Sequence, residues 1–239
     1  MSLFEGPRLR LLLTALRLFS RRRRRRQREG FSLEFLPGVC DPAPTRLLSF
    51  APLFRASVAA RRGEEILEIG AGAGLWGLMQ LRAATQHRST ATLTASELPG
   101  CSLEPIRESA ARAALPDPEC VYGDLFAPLT GRRFELILFN PPFHLQAPRS
   151  LEERAYCGGV AGEVLHSFLR ALPEHLKDHG EAHIILPKRE AAAYQRALAP
   201  LSPQRLARRW LPLLGWVELL SLSAPQQELS PPLRSNGYE

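Results

Sequence analysis

Residues 138–144 read LFNPPFH, and the residue types at their centre suit one kind of chemistry. The nitrogen of an amide or an exocyclic amine has its lone pair delocalised into a planar π-system. To act as a nucleophile it needs acceptors for its N–H hydrogens and a surface that fixes its plane. The side-chain oxygen of Asn140 and the carbonyl of Pro141 can supply the acceptors, and the ring of Phe143 can supply the face. Two consecutive prolines cannot continue a helix or donate to a sheet ladder, so they end a strand and hold their neighbours in fixed directions. No charged base is required, because the main gain is orientation for in-line attack. His144 reads as a packing or hydrogen-bonding residue, since the proton can leave after transfer.

Upstream lies a second group. An apolar run ends in GAGAG, with Gly70, Gly72 and Gly74 opening a helical pattern. Glycines there let the backbone approach a ligand, and the N–H groups of a helix start attract polar or anionic groups. Glu97 closes the next strand-like run, where a carboxylate can accept both hydroxyls of a ribose. Asp124, in YGDLF, closes the third and can meet the amino edge of an adenine. A glycine loop with a distant acid also occurs in dinucleotide enzymes and by chance, so this pair alone is a weak mark of a nucleoside ligand.

The elements that must position these residues are legible. Residues 64–70, 90–97, 119–124, 134–139 and 181–187 read as strands. Helical patterns separate them: LWGLMQLRAAT, LEPIRESAARAAL and GEVLHSFLRALPEHLKDH, with AAAYQRALA after the last. Strands alternating with helices imply an α/β fold, a doubly wound, mostly parallel sheet covered on both faces. RLARRWLP and WVELLSLSA, joined by a short link, imply a C-terminal antiparallel hairpin. Beyond the C-terminal ends of such strands, Gly70, Glu97, Asp124 and Asn140 would gather. Trp76 reads as core or as a wall of that pocket.

LEIGAGAG, Glu97, GDLF and NPPF, in this order, resemble the class I S-adenosylmethionine-dependent methyltransferases, and within them the methyltransferase small domain group. That group includes N2-guanine ribosomal-RNA methyltransferases and lies close to the glutamine methyltransferases of release factors. LPGVCDPAPTRLL at 36–48 resembles the stretch before the cofactor domain, although Cys40 stands where an aromatic is common. The resemblance implies a Rossmann-like seven-stranded sheet over about residues 31–223. It implies S-adenosylmethionine as cofactor, held by Glu68, Gly70, Gly72, Gly74, Glu97, Asp124 and Asn140. Asn140, Pro141 and Phe143 would engage the target nitrogen. NPPFH is similar to the RNA guanine branch, whereas GDLF and the pair Gly158–Gly159 are as similar to the glutamine branch. The acceptor expected is a nucleobase in structured RNA, with a protein glutamine or a small-molecule amine as alternatives. A scaffold that keeps the fold without transfer is a reading from another class, and a dinucleotide oxidoreductase gives NPPF no role.

Composition bounds the rest. With 239 residues, 45% of them hydrophobic, the chain can bury one sizeable core. The net charge of +7 is concentrated at the start. Residues 1–30 hold ten Arg and two Glu, and the remaining 21 basic and 22 acidic residues nearly cancel. Together with the extent that the resemblance implies, this gives the expected domain limits: a basic tail or helix at 1–30, a transferase domain at 31–223 and a loose end at 224–239. Arg21, Arg22, Arg23, Arg24, Arg25 and Arg26 fit an RNA-gripping arm, a helix on an anionic surface, a mitochondrial presequence or a solvated tail. Most charges follow the apolar stretch, which argues against export, and no apolar run is long enough to span a membrane. A cytoplasmic enzyme is expected, or a mitochondrial one in a eukaryote. Cys40, Cys101, Cys120 and Cys157 lack CxxC spacing and read as reduced thiols. His175, His179 and His183 read as exposed or capping residues, and no metal site is expected.

Overall fold

The computed structural model describes residues 23–224, apart from 38, 40, 43, 46, 62, 88, 89, 151 and 213. Arg24–Arg28 (β1) and Phe31–Phe35 (β2) form a separate antiparallel hairpin. Glu29 and Gly30 turn it with φ of 50° and 81°, the doubly positive pattern of a tight primed turn. In FSLEF the alternate residues Phe31, Leu33 and Phe35 are buried against the main body. Arg24 to Arg28, expected in the basic tail, therefore lie in a strand. Of the basic tail or helix expected at residues 1–30, residues 1–22, including Arg21 and Arg22, lie outside the described residues.

The main sheet follows. Ala51–Ala60 (α1) precedes Glu65–Ile69 (β3), Leu75–Gln86 (α2), Thr92–Glu97 (β4), Glu104–Arg112 (α3), Glu119–Tyr122 (β5) and Phe134–Phe139 (β6). Glu163–His175 (α4), Leu176–Pro187 (β7), Lys188–Ala193 (α5), Gln195–Leu198 (α6), Gln204–Leu211 (β8) and Gly215–Ser223 (β9) complete it. The seven strands lie in the order β5-β4-β3-β6-β7-β9-β8. The first five are parallel, and β9 is antiparallel to both β7 and β8. The chain leaves β3 toward one edge and returns to β6 beside it. Loops after these two strands therefore diverge, opening a crevice at their C-terminal ends.

Alternation assigns side chains to the two faces. Leu136 and Leu138 of β6 join a core with α1, α2 and α3, whereas Ile137 and Phe139 join one with α4. By the same parity Glu68 points to the α2 face with Ile66, and His183 points there with Ile185. The helix expected over residues 162–179 ends at His175, because Leu176 already pairs with Phe134 as the first residue of β7.

His175 and His183, expected as exposed or capping residues, are buried. His175 stacks on Phe126 with ring centroids 4.2 Å apart, and its Nδ1 meets the Arg132 carbonyl. His183 sits in a polar node. Ser57 Oγ accepts hydrogen bonds from Trp76 Nε1 and Gln80 Nε2, both 3.0 Å. Its own proton then goes to His183 Nδ1 at 2.7 Å. That fixes the tautomer: His183 Nε2–H donates to Glu181, which also accepts from Ser221 Oγ and pairs with Arg61. The bond from His183 is the chief reason the Glu181 carboxyl is pulled down to about 2. Among the described residues no helix is long and apolar enough to cross a membrane.

Ser57→Ala removes the shared partner of three buried side chains while changing little volume. We expect a loss of about 2 kcal/mol or more in urea unfolding; a loss below about 0.5 kcal/mol would show that the node contributes nothing to holding α1 on the sheet.

Candidate active site

The loop after β3 turns through Gly70, Gly72 and Gly74, whose φ values of 60°, 55° and 73° only glycine adopts readily. Gly74 is the N-cap of α2 and has no side chain to satisfy the first N–H groups of the helix. Glu68 does so from the end of β3. Its Oε2 accepts from Gly77 N at 3.0 Å, and the Trp76 N–H also binds the carboxyl. These are the N2 and N3 groups that a capping side chain would take. A Cβ on Gly77 would lie 2.6 Å from that oxygen, so the approach requires glycine. The helix terminus and its N–H groups favour the anion, but burial wins and raises the Glu68 carboxyl to about 8, with the Glu97 charge adding to the rise.

Glu97, at the end of β4, is held on both oxygens: Oε2 by Gly72 N and Oε1 by Leu98 N, each 3.0 Å. Burial raises its pKa against these two bonds. Gly70, Gly72, Glu68, Glu97, Asp124 and Asn140 all line one cleft of about 380 Å³. Gly74 stands behind the loop, where a Cβ would lie 2.8 Å from Ile106. Trp76, fully buried, forms part of the wall. Asp124 keeps an exposed side chain while its carbonyl accepts Ala127 N, so it closes a turn and faces the cleft at once. Cys101 also faces the cleft, but burial, with the Glu97 charge, pushes its thiol up to about 11, so it is no nucleophile near neutral pH.

Pro141 and Phe143 line an adjoining apolar pocket of about 70 Å³ rather than the main cleft. Asn140 borders both spaces. Its Oδ1 is buried and has no hydrogen-bond partner. His144 sits in the small pocket against the edge of Phe143, and burial pushes its imidazole down to about 4, so it is neutral near pH 7.

Several contributors carried no clear sequence signal. The chain after His144 folds back so that His144 N donates to Tyr156 O and Gly158 N to His144 O. Gly158 then lies against Pro142, where a Cβ would be 2.2 Å from the Pro142 carbonyl oxygen. The pair Gly158–Gly159 was visible in the sequence, but its contact with the prolines was not. Arg154 reaches the cleft and Tyr156 the small pocket, whereas Arg149 lines neither. Of the basic run, Arg23 and Arg25 pair with the buried Glu34. The departure at Cys40, a cysteine where an aromatic is common, lies outside the described residues.

Residues 49–201 match the family model described as methyltransferase small domain. The chain is similar to the ribosomal protein uL3 glutamine methyltransferase of Bradyrhizobium diazoefficiens, 32% identical over 127 residues, which cover 49% of this chain and 39% of that protein. It is also similar to ribosomal RNA small subunit methyltransferase C of Enterobacter sp., 28% identical over 165 residues, covering 66% and 41%. The chain thus spans about two fifths of the length of these relatives. Among solved structures it shares its fold with the T. thermophilus 16S rRNA N2 G1207 methyltransferase, a complex with AdoMet and guanosine. The TM-score is 0.56 at 21% identity, covering 85% of this chain and 50% of that one.

The raised Glu68 carboxyl has a consequence for stability. Between its ordinary value of 4.5 and about 8 the folded chain holds a proton that the unfolded chain has released, so stability falls as pH rises through that window. The slope is at most about 1.4 kcal/mol per pH unit. Glu68→Gln should flatten this decline, read as the difference in urea midpoint between pH 5.5 and 8. An unchanged decline would mean that another group carries it.

Proposed function

The chain belongs to the methyltransferase small domain family, and on that premise we propose that it transfers a methyl group from S-adenosylmethionine to a planar nitrogen, that of a nucleobase in structured RNA. The observation that carries this reading is Asn140 Oδ1, a buried acceptor without a partner at the junction of the cleft and the small pocket. Leaving such an atom unpaired costs about 1–3 kcal/mol, which a ligand N–H would recover. A scaffold without transfer activity gives that atom no role.

The cleft suits the cofactor. Its volume lies in the range of small-molecule sites. Each oxygen of Glu97 takes one backbone N–H and keeps a lone pair, enough for two ribose hydroxyls. Asp124 offers an exposed carboxylate for an adenine amino group. The start of α2 also separates this reading from a dinucleotide enzyme. Its N–H groups, which would bind a pyrophosphate, are already taken by Glu68, whose ionisation would repel one.

Bound S-adenosylmethionine supplies an electrophilic methyl on a sulfonium centre. Asn140 Oδ1 accepts one N–H of the acceptor and aligns the nitrogen lone pair toward the cleft. Pro141 offers its carbonyl to the second N–H, and Phe143 holds the plane from the small pocket. His144, neutral and poorly basic, does not take the proton, which leaves to water after transfer.

RNA is favoured as acceptor by exposed arginines on β1 and β8 around a nearly neutral body, and by the relative named for ribosomal RNA. From the ribosomal-RNA substrate in the name of the same relative we infer a cytoplasmic setting for this chain. A protein glutamine is the second reading, favoured by the uL3-directed relative and by an amide having the same planar N–H pair. In either case we assign transfer to residues 31–223.

Incubation of the protein with methyl-labelled S-adenosylmethionine and an extract of source cells grown without it tests the proposal. Label released by ribonuclease alone is expected. Release by protease alone would move the acceptor to glutamine, and no transfer despite cofactor binding would overturn the enzyme reading. Asn140→Ala should lose roughly 10²-fold or more in kcat/KM while cofactor affinity by calorimetry holds; undiminished transfer would remove Asn140 from the mechanism.

A further inference from the structure

Two of the three tryptophans are exposed, Trp210 by 58% and Trp216 by 45%. They are directly paired across β8 and β9, so their rings share one face at the tip of the hairpin. The Arg208 guanidinium lies over the Trp216 ring, 4.7 Å from its centroid. The tip stands at the rim that carries the site, because Val217 of the antiparallel β9 pairs with Pro187 at the C-terminal end of β7. Leu211, which follows Trp210 and points to the opposite face of the hairpin, lines the small pocket with Pro212, Leu214, Asn140 and Phe143, so the tryptophans and the pocket lie on the two sides of one tip.

We propose that this paired-tryptophan tip is a stacking platform for unpaired RNA flanking the acceptor nucleobase, an inference that rests on the RNA reading above. A base whose amino group reaches Asn140 must leave its own stack, which strips its neighbours of a partner. Exposed indoles on the far side of the tip from the pocket take up such unstacked bases where the strand crosses the rim, and arginine beside them meets the phosphates. Charge selects the occupant. β8, QRLARRWL, the edge strand of the sheet, carries three Arg and no acid; Arg205 pairs with Glu218 of β9, so the excess charge of the hairpin lies toward the tip. Symmetric docking of a second copy would bring these cations together, whereas a polyanion is attracted.

The test uses the full chain and a dye-labelled, single-stranded oligoribonucleotide of mixed sequence and about twelve nucleotides. Anisotropy titration should show the Trp210→Ala/Trp216→Ala variant binding at least about tenfold more weakly than wild type, and the double Phe variant within about threefold. Calorimetric affinity for S-adenosylmethionine should be the same in all three, which excludes misfolding. Arg208→Ala should reduce the salt dependence of binding. Equal oligonucleotide affinity in the Ala variant and wild type would overturn the proposal. So would sedimentation showing that the Ala substitutions only dissolve a dimer, which would make the face an interface between copies. Tryptophan-dependent binding together with protease-released label would keep the platform and overturn the RNA acceptor; ribonuclease-released label without tryptophan dependence would do the reverse.

Discussion

The buried contact between Glu68 and the start of α2 is the constraint on which the site depends. A helix that opens on three glycines has no side chain of its own to satisfy its first N–H groups. The carboxyl at the end of β3 reaches across and takes two of them. Strand end, loop and helix start are thereby fastened together, and the loop can keep its left-handed turns without side chains. Desolvation exceeds the helix-terminus stabilisation, so the acid is held well above its ordinary range. The anion site usual at such a terminus is filled from within the protein, which turns the loop from a phosphate cradle into a wall for a differently charged ligand.

The second constraint is the path of the chain after β6. Two prolines stiffen it, and the return of residues 156–158 brings Gly158 against the Pro142 carbonyl. Asn140 is thus clamped between the cleft and a small apolar pocket. The arrangement separates roles: Glu97, Asp124 and the glycine loop face one space, and Pro141 and Phe143 the other. Only Asn140 meets both among the residues the sequence nominated. An orientation mechanism needs such a partition, because the group that aligns the nucleophile must also border the electrophile.

Support for these loops comes from behind. The Ser57 hydroxyl gathers Trp76 and Gln80 from α2 and His183 from the sheet, and so fixes Trp76, a wall of the cleft. The basic surface is also more structured than composition suggests. Arg23 and Arg25 are partly committed to Glu34, which leaves the paired tryptophans and arginine at the far hairpin as a surface on the other side of the tip from the smaller pocket.

Local signals sufficed for much of this. The apolar runs from Glu65 to Phe139, the hairpin around Leu214 and the strand-end positions of Gly70, Glu97, Asp124 and Asn140 follow from periodicity and turn chemistry, which act over a few residues. The FSLEF alternation at Phe31–Phe35 was present in the sequence but masked by the arginine run before it, whose charge suggested a tail. What the sequence could not supply depends on distant partners. Nothing local distinguishes a buried His183 from an exposed one until Ser57, far away in the chain, offers its hydroxyl. Nothing near Gly158 announces that Pro142 will fill the place of its missing side chain. The residue types and their order determined the chemistry available; the tertiary structure decided which groups are desolvated and which face the same space, because burial and proximity belong to the packed chain and not to any short stretch of it.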